Sequence, residues 1–148
     1  RDVVSKLKMP FWISAGTALG LYRDKDFIEG DTDLDIAMEG YKGADEEVVE
    51  AIRGDIMRTI YDYQDRPMQL AILKDGVLID VYFHYKNGKN LENHSQGGWT
   101  RMPKDICLKP QMIKTKYGKL PFPQEKYFEI RYGDWKTPTD AKPIYEKV

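Results

Sequence analysis

Two runs of strongly β-forming residues, "MQLAILK" and "VLIDVYFHY", are joined by Asp75-Gly76. Asp-Gly is a preferred dipeptide of the two-residue type I′ turn, because both of its positions need a positive φ. The stretch therefore predicts a hairpin with strands over about 67–74 and 77–84. Side chains alternate along a strand, so Val77, Ile79, Val81 and Phe83 share one face and Leu78, Asp80, Tyr82 and His84 the other. Asp80 is the one acidic residue in the second run. His84, taken singly, reads as a half-buried histidine bonded to backbone rather than as a base or ligand.

A second strand is predicted over about 33–38, within "EGDTDLDIAM". The same alternation puts Asp33 and Asp35 on one face and Leu34 and Ile36 on the other. Two ionised carboxylates side by side repel and raise each other's pKa. A solvated edge strand would tolerate them, and a divalent cation between them would remove the penalty. Hard oxygen ligands select Mg²⁺ or Mn²⁺, and Mg²⁺ is commonly held by one or two carboxylates with a substrate's phosphates. Asp80 becomes a third ligand if its strand lies beside this one, and two metals could then serve an in-line displacement at phosphorus. A calcium loop of the EF-hand type needs glycine at its sixth place and a carboxylate at its twelfth, where this chain has Ile36 and Lys42.

Around these strands the chain reads as one domain, 1–148. The run 11–14 predicts a strand, and Gly16-Thr17 a turn into a short helix whose start offers N–H groups to a phosphate. Arg23 could neutralise a phosphate or pair with Asp24 or Asp26. "ADEEVVEAIRGDIMRTIYDY" predicts an amphipathic helix, with Val48, Ile52, Ile56 and Ile60 at four-residue spacing. The polar "KNGKNLENHSQGG" predicts a loop, "WTRM" and "QMIKTKYG" short strands, 124–132 a helix closed by Gly133, and 134–148 a tail. Trp99 and Trp135 are read as packing residues. The fold class is a mixed α/β (α+β) domain, a mixed central sheet flanked by helices.

Composition narrows the function. The formal net charge of −1, from 23 basic and 24 acidic residues, argues against nucleic acid as partner. Cys107 is the lone cysteine beside two histidines, which is too few for a Cys/His zinc site. No apolar run has the roughly 18 residues of a membrane helix, so no integral membrane segment is expected, and the lone cysteine, which allows no intrachain disulfide framework, makes a reducing cytoplasm the default reading.

The segment "FWISAGTALGLYRDKDFIEGDTDLDIAM" resembles the opening motif of the LicD, fukutin and fukutin-related family, within the polymerase-β-like nucleotidyltransferase superfamily. That family has an apolar strand, a Gly-Gly or Gly-Thr turn, a helix ending in Arg, a "gfIPWD" loop and D-x-D. Gly16-Thr17, Arg23, Phe27-Ile28, Asp31 and the pair Asp33/Asp35 fill those places in order, while Glu29, Gly30 and Thr32 depart from the loop pattern. "LIDVYFHY" is similar to the family's "IDIF" strand and "PQEKYFEIRYGDWKTP" to its closing segment. The resemblance implies a polymerase-β-like fold and transfer of phosphocholine or a polyol phosphate from a CDP-activated donor to a glycan or teichoic-acid hydroxyl. It implies Asp33, Asp35 and Asp80 as catalytic and metal-holding residues, Mg²⁺ or Mn²⁺ as cofactor, and Gly16, Thr17 and Arg23 as contacts to the donor's phosphates. Two other readings stay open: a nucleotidyltransferase using ATP or another NTP on a small molecule or protein, and a noncatalytic module that binds a phosphoglycan or nucleotide.

Overall fold

A computed structural model describes residues 3–95 and 98–138, with the backbone alone at 98 and 99. The expected tail beyond 138 and the side chain of Trp99 lie outside the described residues. After a 3-10 turn at Val4–Lys6 come β1 (Trp12–Ile13), α1 (Ala15–Leu19) and a π-helical turn, Gly20–Asp24. Then follow β2 (Asp33–Glu39), α2 (Ala44–Ile52), β3 (Asp55–Tyr61), β4 (Pro67–Lys74) and β5 (Val77–Asn87). The chain continues with β6 (Asn90–Ser95), β7 (Gly98–Pro103), α3 (Asp105–Leu108), β8 (Gln111–Thr115), β9 (Gly118–Phe122) and α4 (Lys126–Tyr132).

The central sheet has the order β1-β2-β5-β4-β3, with β6 paired to β5 and β7 to β6. It is mixed: β2 runs parallel to β5, and the other neighbours are antiparallel. Asp75 and Gly76 both take positive φ, 51° and 79°, and close the β4–β5 hairpin with Lys74 opposite Val77. One sheet face carries Leu70, Ile72, Ile79, Val81 and Ile36, all fully buried. Against that apolar layer α2 turns Ala44, Val48 and Ile52, a four-residue repeat that makes one helical stripe. At the other end α4 buries Tyr127, Phe128, Arg131 and Tyr132. The Phe128 ring stacks on Tyr22 at 4.7 Å and meets Trp135 at 5.3 Å, which fastens α4 to the π-helical turn. Among the described residues no helix is long and apolar enough to cross a membrane.

Two expectations are corrected. The helix predicted over 44–63 stops at Ile52, where Arg53 turns left-handed at φ 57° and bonds back to Val49, and the chain continues as the edge strand β3. Gly54 lets the chain pass close against β4, where a Cβ would stand 2.4 Å from the Leu73 carbonyl oxygen. Four-residue spacing fits period two as well as period 3.6, so Ile56 and Ile60 suited a strand equally; there Ile56 is 55% exposed. The loop predicted after Tyr85 is largely sheet, with β5 running on to Asn87 and turning back into β6. Its polar composition hid this because Asn93, although buried, satisfies its amide by donating to the Met68 and Phe83 carbonyls, at 2.9 and 2.7 Å.

Candidate active site

The parallel pairing of β2 with β5 sets Asp35 directly opposite Asp80 and Asp33 opposite Leu78. Paired residues share a face, so the three aspartates stand on the side of the sheet away from α2. Asp35 and Asp80 are buried, at 9% and 8% exposure. Burial pushes the Asp35 carboxyl up to about 7, and repulsion from Asp80, Asp31 and Asp33 adds to it. Asp80 is likewise raised, first by burial and then by Asp33, against the Gln69 amide, which donates to its Oδ1 at 3.2 Å.

The turn after β1 lies against this face. The Ser14 N–H donates to the Asp35 carbonyl at 3.0 Å, and the Asp35 N–H donates to Thr17 Oγ1 at 2.9 Å. The buried Thr17 hydroxyl thus braces β2 from α1. Ala15 holds a positive φ of 48°, unusual for a residue with a Cβ, and its N–H is accepted by the Tyr127 hydroxyl at 2.9 Å. That hydroxyl also bonds Ser14 Oγ at 3.2 Å. Gly16 then passes so close that a Cβ on it would lie 3.0 Å from Asp31 Oδ2 and 3.9 Å from Asp35 Oδ2. The missing side chain leaves a notch walled by two carboxylates.

Arg23 pairs through Nε and Nη2 with Asp24 at 2.8 and 2.9 Å and donates from Nη1 to the Trp135 carbonyl at 3.1 Å. It ties the π-helical turn to the segment after α4, and these contacts include none of Asp31, Asp33, Asp35 and Asp80. His84 is deeper than expected: it is 5% exposed, tilted against Trp12 at 5.6 Å, with Nδ1 lacking a partner among the described residues. Burial, then the charge of Arg131, holds it down to about 3, so it is a neutral core residue at ordinary pH. Beside the carboxylates an apolar crevice of about 320 Å³ runs under Asp31 and Asp33, walled by Phe27, Leu34, Tyr117 and Leu120.

Among the described residues no three His, Cys, Asp or Glu side chains form a group that could hold a metal ion by themselves. Donor chemistry and the notch at Gly16 decide what the site suits. Oxygen-only donors in mutual repulsion, with Asp31 and Asp35 beside the space left by Gly16, are of the chemical type a hard divalent cation takes. Asp33, Asp35 and Asp80 could hold it, with Asp31 at the rim. Sequence reasoning missed Tyr127, 112 residues from the backbone it supports, and Gln69, which no motif marked.

The family model described as LicD/FKTN/FKRP, nucleotidyltransferase domain, matches residues 8–137. The human ribitol-5-phosphate transferase FKTN is 29% identical over 147 residues, covering 91% of this chain and 31% of that protein. The Mus musculus protein of the same name is 28% identical over 144 residues, covering 89% and 30%. The chain thus spans about a third of the length of these curated relatives. A proposed nucleotidyltransferase from Thermotoga maritima, known as a crystal structure, superposes with a TM-score of 0.56 at 14% identity, covering 85% of this chain and 73% of that one, and shows the shared fold alone.

Proposed function

The chain belongs to the LicD/FKTN/FKRP nucleotidyltransferase-domain family, and we propose that it transfers a phospho-linked group, phosphocholine or a polyol phosphate, from a CDP-activated donor to a hydroxyl of a glycan or teichoic acid. The observation that carries this reading is the in-register pair of buried carboxylates, Asp35 and Asp80, on neighbouring parallel strands, with the notch at Gly16 beside them.

In this mechanism Gly16 lets the backbone approach the donor's pyrophosphate, and Thr17 keeps the turn seated on β2. Asp33 and Asp35 would hold Mg²⁺ or Mn²⁺, which when bound neutralises charge on the phosphates. Asp80, opposite Asp35 on the neighbouring strand, would complete the second metal site and stands next to the acceptor hydroxyl. It takes the proton of the acceptor hydroxyl as that oxygen attacks the phosphorus bearing the transferred group; the bond to the CMP oxygen breaks and CMP leaves. Positioning and fixed charge supply most of the acceleration, as in phosphoryl transfer generally. Arg23, through its hold on the segment after α4, keeps the turn's far end in place.

Incubation with CDP-choline and CDP-ribitol and a glycan acceptor, followed by nucleotide chromatography, tests the reading. Divalent-cation-dependent release of CMP, abolished in Asp35→Asn and Asp80→Asn, is expected. Release of pyrophosphate from an NTP instead would overturn the donor assignment.

A further inference from the structure

A row of four residues crosses the sheet on the carboxylate face. Arg58 of β3 opposes Ala71 of β4, Ala71 opposes Asp80 of β5, and Asp80 opposes Asp35 of β2. Ala71 carries a single methyl group, so no tall side chain in that row separates Arg58 from Asp80. Neighbouring strands lie about 4.8 Å apart, which puts the Arg58 Cα roughly 10 Å from that of Asp80. An extended arginine side chain is long enough to cover most of that distance. The guanidinium's positive charge is already felt at Asp80.

This register depends on an irregularity. Ile56 opposes Ile72, and the next paired residue is Arg58 opposite Ala71, so Met57 is an extra residue in the ladder. In an uninterrupted ladder Met57 would face Ala71, and Arg58 would fall opposite Leu70, on the buried α2 side. Bulges next to active sites re-aim a side chain in this way. The consequence is an exposed arginine whose guanidinium, among the described residues, has neither a hydrogen bond nor an ion pair. By contrast Arg23, Arg66 and Arg101 are each bonded to a carboxylate.

We propose that Arg58 is the contact for an anionic group, a phosphate mono- or diester, on the acceptor, so that the site selects phosphorylated acceptors over neutral ones. The proposal rests on the transferase reading above, in which the donor's phosphates lie on the Gly16 side of the carboxylates. Arg58 lies beyond Asp80, on the side from which the attacking hydroxyl must come. A guanidinium suits this task because its planar fork binds two phosphate oxygens at once.

The test uses the full chain with sn-glycerol 3-phosphate and glycerol as acceptor probes, followed by calorimetry or amide chemical shifts in the presence of Mg²⁺ and CMP, with CDP titrated separately. Wild type is expected to bind the phosphate at least about tenfold more tightly than glycerol. Arg58→Ala should lose about that factor, Arg58→Lys should recover part of it, and Met57→Ala should change nothing. CDP affinity should be equal in all four proteins. The position is exposed on an edge strand, so the variants should fold, and thermal unfolding checks that they do. Undiminished phosphate binding by Arg58→Ala overturns the proposal, and so does a parallel loss of CDP affinity, which would move Arg58 to the donor's side. A wild type that binds glycerol 3-phosphate through Arg58 but never binds CDP supports the anion contact while sinking the donor reading.

Discussion

Replacing Asp35 by asparagine should make the metal-free protein more stable in alkaline buffer while changing little near pH 4. Folding raises this carboxyl from an ordinary value of 3.8 to about 7, because it is buried and faces Asp80, Asp31 and Asp33. Below pH 4 the group is protonated in both folded and unfolded chains, and the favourable burial of the neutral acid is fully present. As pH rises the unfolded chain releases the proton first, so stability falls through the window from about 4 to about 7. The whole interval is worth about 4 kcal/mol, of which about 2 should survive once neighbouring aspartates share the relief. Urea denaturation of wild type and variant at pH 4.5 and pH 8, without divalent cations, reads the difference directly. A stability gap that does not widen between those two pH values would refute the argument that Asp35 is a buried, repelled carboxylate. Adding Mg²⁺ and a nucleotide at pH 8 should narrow the gap, since only wild type gains from them.

Other substitutions probe the parts around that carboxylate. Tyr127→Phe removes the acceptor of the Ala15 N–H, and an unmet buried donor should lower stability by about 1–3 kcal/mol in urea denaturation. Gly16→Ala places a methyl group 3.0 Å from Asp31 Oδ2, and should reduce nucleotide affinity in a Mg²⁺ titration about tenfold or more with little change in melting temperature. His84 is held neutral down to about 3 against 6.5 in the unfolded chain, so its contribution is present above pH 6.5 and is lost as pH falls towards 3. His84→Gln should flatten the acid limb of the melting curve over that window.

The sequence made the centre of the sheet legible because its signals are local. Asp75-Gly76 fixes a turn, and the alternation around Asp33, Asp35 and Asp80 fixes which face each side chain takes. That β5 lies directly beside β2 is a pairing between segments far apart in the chain, and only the fold brings Asp35 and Asp80 opposite each other. Where periodicity was ambiguous the reading failed: isoleucines four apart fitted either a helix or a strand, and the pairing with β4 that settles it, with Gly54 passing close to the Leu73 carbonyl, is a tertiary contact. The error also concealed Arg58, which a helix would have placed among ordinary surface charges. Likewise β6 was hidden by Asn93, a polar residue buried through bonds to two backbone carbonyls.

On the proposed function, the face shared by β2 and β5 binds a hard cation together with a phosphate-bearing nucleotide. Paramagnetic broadening of amide signals by Mn²⁺, with and without CDP, tests it most directly. Broadening is expected to centre on Gly16, Asp33, Asp35 and Asp80, to strengthen when CDP is present and to disappear in Asp33→Asn/Asp35→Asn. Broadening centred elsewhere, or the same pattern in the double variant, would contradict it.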